Sequence, residues 1–228
     1  MGKTLTAEES RNECVKAMGK LLGQQYAGLW QELAWVNAKW NEYGELFGSK
    51  PTRVELLNKA APVFFRITQD TLWEAVLLHI CRLTDPPTSA GKATLTVRRL
   101  PELVDPKIKG KVTASVKKAT EKSSFCRDWR NRHIAHTDLA LALKEGAKPL
   151  EPASRQGVRD ALAALADVLN DVSRHYQSAE SVFDHLPLGG GAASLLYIID
   201  DGLKVAQKRF ARLSRGDLRS EDWANRAL

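Results

Sequence analysis

Apolar residues recur at three- and four-residue steps along almost the whole chain. Tyr26, Leu29, Leu33, Val36, Trp40, Tyr43 and Phe47 form one such stripe, the mark of an amphipathic helix. Thr6-Ala-Glu-Glu9 has capping-box form and predicts the start of this helical region. Gly19, Gly23 and Gly28 are its weak points, and it should stop near Gly48-Ser49, before Pro51. A second helical region covers roughly residues 52–83, with Pro62 as a kink or a new start. Its centre, Leu72 to Cys81, is apolar on nearly all sides, which predicts burial in the middle of a bundle. Asp85–Lys92 reads as a loop. Thr96–Val104 predicts a short helix, Lys107–Lys122 a longer basic one, and Phe125–His136 another. Glu145–Pro152 is a loop, and Ser154 is placed to cap a long helix with Val158, Ala161, Leu162, Leu165, Leu169, Val172 and Tyr176 on one face. His185–Gly191 breaks the chain. A last helix is expected to bury Leu195, Ile199, Ala206, Phe210 and Leu213, and the tail from Arg215 is polar. No segment alternates with period two for long enough to predict a strand. The expected fold is all-α, an antiparallel bundle of four to five long helices. Residues 1–185 would form the bundle, and 186–228 a helical extension packed on it.

Composition adds limits. Apolar residues make up 43% of the 228 and charged residues 27%, values of an ordinary globular protein. The net charge of +7 makes an anionic partner plausible, and nucleic acid is the commonest one. Cys14, Cys81 and Cys126 are odd in number and far apart in sequence, which argues against a disulfide framework and for a reducing compartment. Acidic residues stand near the N-terminus where a signal peptide needs an apolar core, and no apolar run is long enough to span a bilayer. A cytoplasmic protein with no membrane contact is expected.

The chemistry concentrates in residues 127–138, Arg-Asp-Trp-Arg-Asn-Arg-His-Ile-Ala-His-Thr-Asp. Guanidinium groups hold phosphate oxygens in a fork, and imidazole titrates near neutral pH. On an ideal straight helix, however, Arg130 and His136 lie about 240° apart. Either the helix ends or distorts near Ala135, or the two groups meet across a symmetric dimer. Arg130 could alternatively pair with Asp128 or Asp138, and His136 could cap its helix. Arg127, Arg132, Lys117, Lys118 and Lys122 extend the basic character and are candidate RNA contacts; the alternative is a solvated helix face. Asp70 and Glu74 form a polar face that could look into a cleft or pair with Arg66 or Arg82. Trp129 could stack a base or pack beneath the motif. No His-Glu-x-x-His, Walker loop or thiol cluster is present, so no metal or cofactor is predicted.

Arg130-Asn-Arg-His-Ile-Ala-His136 matches the Arg-x(4–6)-His signature of the HEPN superfamily. Asp70–Pro86 ending in Arg82-Leu-Thr-Asp85, then Leu95-Thr-Val-Arg-Arg-Leu100, then Asp128–Asp138, resemble in that order the AbiU-type HEPN proteins of abortive-infection systems. The resemblance covers roughly residues 25–183. It implies a HEPN-like helical bundle that forms a homodimer. Arg130 and His136 of each copy would face one another in a composite cleft, with Asn131 beside them and His133 as a second proton-transfer candidate. The implied activity is metal-independent endoribonuclease cleavage of a phage-defence or toxin–antitoxin type, leaving a 2′,3′-cyclic phosphate. RNA is then the substrate, and an antitoxin or defence protein a further partner. The alternative is a catalytically silent HEPN-like module that binds RNA or a protein.

Overall fold

The computed structural model describes residues 6–48, 50–184 and 189–222. The chain is helical nearly throughout. It runs α1 (Ala7–Met18), α2 (Lys20–Tyr43), a π-helical turn (Gly44–Gly48), α3 (Pro51–Ala60) and α4 (Pro62–Thr84). A two-residue hairpin of β1 (Thr88–Ser89) and β2 (Lys92–Ala93) follows, then a 3-10 turn (Val97–Glu102), α5 (Pro106–Lys122) and α6 (Ser124–Trp129). A second π turn (Arg130–Ile134), α7 (Leu139–Leu143), α8 (Arg155–Gln177), α9 (Ala192–Leu213) and a last 3-10 turn (Ser220–Asp222) complete it. No helix among the described residues is long and apolar enough to cross a membrane.

The chain divides into two compact units, residues 1–41 with 71–187 and residues 42–70 with 188–228. The second unit therefore takes in part of the N-terminal half as well as the C-terminal segment.

In the first unit the predicted helix starts and stops are made by the residues that announced them. Thr6 Oγ1 accepts from the Glu9 N–H while Glu9 accepts from the Thr6 N–H, closing the capping box of α1. Gly19, at φ +81°, separates α1 from α2, a conformation that costs glycine little. Gly23 serves closeness instead: a Cβ there would meet the Cys14 carbonyl oxygen and Val15 Cα at 2.5 Å. Ser154 caps α8 by accepting from the Gly157 N–H at 3.0 Å.

Contacts fix the directions of the long helices. Trp40 stacks at a tilt on Trp73 and Glu32 meets His79, so α2 and the later part of α4 run antiparallel. Lys111 pairs with Asp171, Lys118 with Asp167 and Lys122 with Asp160, so α5 and α8 do too. The core between them holds Leu29, Leu33, Val36, Val76, Leu77, Ile80, Cys81, Val112, Leu165 and Leu169, all essentially without solvent contact. The stretch Leu72–Cys81 of α4 is buried or half-buried, as its all-round apolar character predicts.

The second unit packs α9 on α3 and on the first π turn. Glu42 accepts from the Ala192 N–H at 2.5 Å, which satisfies a free donor at the α9 N-terminus and puts a carboxylate at its positive end. Arg66 pairs with Asp70, one of the two alternatives for that polar face. The predicted inward stripe of α9 needs correction. Ala192 and Leu196 are buried, whereas Leu195 and Phe210 are exposed. Residues 195–199 are apolar on every side, so periodicity could not choose the face; contact with α3 does. His185–Leu188, part of the predicted break, lie outside the described residues.

One polar group stands apart in the core. His79 is buried, its Nε2 lies 2.6 Å from Glu32 Oε2, and its Nδ1 has no hydrogen-bond partner. Burial, opposed by Glu32, holds this imidazole below the ordinary histidine range. The folded chain thus takes up the proton less readily than the unfolded one. Stability should be full above the unfolded value of about 6.5 and fall as pH drops through it. Wild type should therefore lose more melting temperature between neutral pH and pH 5.5 than His79→Leu; equal losses would remove His79 as the cause. Gly23→Ala should lower stability by about 1–3 kcal/mol, measured by urea unfolding, because backbone rather than a movable side chain blocks the new methyl.

Candidate functional site

The predicted motif is not a straight helix. α6 is regular only to Trp129, and from Arg130 the winding widens into a π turn closed by the Ala135 N–H on the Arg130 carbonyl at 2.8 Å. The chain then bends, and His136 lies in that bend. Of the two solutions to the straight-helix problem, the helix takes the first: it distorts and ends at the predicted place. Such π turns are rare and concentrate at functional sites.

Arg130 opens the turn, and its partner is neither Asp128 nor Asp138. Its Nη1 lies 2.8 Å from both oxygens of Asp85, just beyond the end of α4, and its Nε donates to Asn131 Oδ1 at 3.0 Å. A guanidinium has five N–H groups, and the two on Nη2 make no hydrogen bond among the described residues. Asn131, His133 and His136 are exposed. His133 stands edge-on to Trp129, ring centroids 5.5 Å apart. His136 forms no hydrogen bond or ion pair among the described residues.

The surrounding polar groups hold the turn in place. Arg132 bridges Asp128 and Asp138, each at 3.3 Å, and donates to the carbonyls of Lys148 and Pro149. Asp138 caps α7 through the Leu141 N–H. That backbone bond first, and Arg132 second, hold its carboxyl below the usual range. Asp128 accepts from the Glu151 N–H, and Trp129 donates to the Glu151 carbonyl while its ring meets Trp73. Trp129 therefore packs beneath the motif. Arg127 donates to the carbonyl and hydroxyl of Thr84 and to the Thr120 carbonyl.

The structure thus places Arg130, Asn131 and His133 on the π turn and His136 in the bend that follows, and gives Arg127 and Arg132 internal partners. Lys118 and Lys122 face carboxylates of α8, and Lys117 lies 3.9 Å from Glu121 of its own helix. Lys118 and Lys122 therefore stand on the ion-paired α5–α8 face, and none of the three contacts the motif turn.

Two features escaped the sequence reading. Asp85 is the clamp of Arg130; its signal was its place at the end of Arg82-Leu-Thr-Asp85. Cys81 and Cys126, 45 positions apart in sequence, are both buried, one helical turn before Asp85 and Arg130. Their mutual interaction lowers the Cys81 thiol, with Arg130 and Arg127 helping, and together with burial raises the Cys126 thiol. Among the described residues no group of three or more His, Cys, Asp or Glu side chains could hold a metal ion.

No curated protein and no solved structure matches the chain. The family profile of AbiU2, a HEPN family, matches residues 20–189. That span runs from the start of α2 to beyond α8 and holds Asp85 together with the whole Arg130–His136 turn. By this match over most of its length, the chain belongs to the AbiU2 family of abortive-infection HEPN proteins.

Proposed function

We propose that this chain is a metal-independent endoribonuclease whose active site forms when two copies bring their Arg130–His136 turns together. The observation that carries this reading is the state of Arg130. Asp85 and Asn131 fix its Nη1 and Nε, which leaves Nη2 free to grip a phosphate oxygen, while His136 in the bend is exposed and unengaged. A pre-oriented cation and an available imidazole are what RNA transesterification needs.

In that reaction a base removes the proton of the ribose 2′-hydroxyl, and O2′ attacks the adjacent phosphorus. The P–O5′ bond breaks, and an acid protonates O5′. The products are a 2′,3′-cyclic phosphate and a 5′-hydroxyl. His136 serves proton transfer, Arg130 stabilises the phosphorane charge, and Asn131 and Asp85 position the guanidinium. His133, held edge-on to Trp129, supplies a second imidazole. A pair of copies provides one such set on each side of the phosphate, which allows separate groups to act as base and acid. RNA would approach over the exposed turn and Arg82, an exposed cation in the last turn of α4 without an ion pair among the described residues. Lys117, Lys118 and Lys122 of α5 are engaged with carboxylates and contribute less.

Purified protein in EDTA should cleave RNA and leave cyclic-phosphate ends, and His136→Ala should abolish cleavage with the melting temperature unchanged. Arg130→Ala should also abolish cleavage, but it leaves the Asp85 carboxylate part-buried without its partner and should cost about 1–3 kcal/mol of stability. Cleavage retained in His136→Ala would overturn the assignment; RNA binding without cleavage in wild type would leave the silent module. Affinity of the His136→Ala variant for single-stranded RNA should fall with salt. Arg82→Gln should flatten that dependence more than Lys118→Gln, and the reverse order would place RNA on α5.

A further inference from the structure

The second unit exposes more apolar surface than it needs for its own packing. Residues 42–70 and 188–228 are under a third of the chain, yet among the described residues they hold nine of the fifteen exposed large apolar side chains. Single exposed apolar residues are normal; a contiguous row of them marks an interface. On α9 they make such a row. The inward side is anchored by Ala192 and Leu196. About 120° round the helix lie Leu195, Ile198, Gly202, Val205 and Arg209, spaced by three and four, the seam pattern of paired helices. Leu195 is 41% exposed, Ile198 68% and Val205 58%.

The seam has a hollow at its centre. Gly202, Val205 and Ala206 line a concavity of about 290 Å³ rimmed by Asp201 and Arg209, and nothing lies within 4 Å of where a Gly202 Cβ would stand. A hole of this kind accepts one apolar side chain from a facing helix.

We propose that α9 pairs antiparallel with α9 of a second copy of this chain. The charges beside the seam argue for this occupant. Asp201 and Lys208 are seven residues apart and share one flank. Lys208 makes no ion pair among the described residues, and Asp201 has only Lys204 at 3.8 Å. A two-fold axis near Lys204–Val205 sets each Asp201 opposite Lys208 of the other copy and seats Val205 of the other copy in the hollow. In a parallel pair the equivalent flanks of the two copies lie on opposite sides of the seam, so Asp201 and Lys208 could not meet. The seam from Leu195 to Arg209 is about 21 Å long. A contact that short buries less than about 1,200 Å², so the pairing is weak and concentration-dependent. It is a second contact between copies beside the one that the proposed ribonuclease places at the Arg130–His136 turns, and its variants leave those turns untouched.

Sedimentation velocity on the full chain, from low to high micromolar, is expected to show reversible, concentration-dependent self-association. Ile198→Asp with Val205→Asp should raise its dissociation constant at least about tenfold without lowering the melting temperature, since both side chains are exposed. Asp201→Lys should weaken the dimer, and adding Lys208→Asp should restore it, a rescue that general loss of fold would not produce. Under mild oxidation Val205→Cys, next to the axis, should crosslink to itself and Ile198→Cys should not. A monomer at all concentrations overturns the proposal, as does a dimer indifferent to the seam variants. Self-crosslinking of Ile198→Cys overturns the antiparallel arrangement. Wild-type monomer that pellets with anionic vesicles, and loses this with Ile198→Asp, would make a membrane surface the occupant instead.

Discussion

The buried end of α4 is the constraint on which the first unit depends. A helix leaves its last carbonyls without partners, and burial makes unmade hydrogen bonds expensive. Here water cannot serve Thr84, which is wholly buried. Arg127 supplies the missing donors to its carbonyl and hydroxyl, and Ser123 adds a bond to the same hydroxyl. One residue further along, Asp85 receives Arg130. Two arginines a turn apart thus tie α6 to the end of α4, the first to close the helix and the second to take its own orientation from it. The chemistry at the surface is set by a requirement of the interior.

This division of labour separates the basic residues by their partners. Arg127 and Arg132 use their guanidiniums on backbone carbonyls and carboxylates within the chain, and the α5 lysines lie opposite Asp160 and Asp167 of α8. Exposed pairs of the latter kind are worth little individually, but they neutralise a face that a sum over the sequence would call basic. The count of 34 lysines and arginines therefore overstates how much cation is free to meet a polyanion. Arg130 keeps part of its donor set available because its partners use only Nη1 and Nε.

Most of the helical architecture was legible in the sequence. The capping box at Thr6, the breaks at Gly19 and Pro62, the Ser154 cap and the all-round apolar run of α4 each act through local chemistry that one sequence displays. The motif could be read as well, with an end or distortion of its helix near Ala135 as one of two alternatives. Other features were not legible because they depend on pairings distant in sequence. Asp85 meets Arg130 across 45 positions, Cys81 meets Cys126, and the α5 lysines meet α8; spacing within one helix carries no trace of any of them. The inward face of α9 failed for a different reason: five consecutive apolar residues define no stripe. The two-residue strands of the hairpin are too short to alternate.

The π turn also bears on how the Arg-to-His interval can vary. A π turn holds one residue more than an α turn between the same hydrogen-bonded ends. Here the Ala135 N–H closes on Arg130 rather than on Asn131. Winding can therefore absorb a change in chain length. A chain one residue shorter between Arg130 and His136 could close the same turn as ordinary α-helix and still deliver its histidine to the bend. The loose count in the Arg-x(4–6)-His signature then describes a fixed pair of endpoints joined by a helix that can be wound tighter or wider.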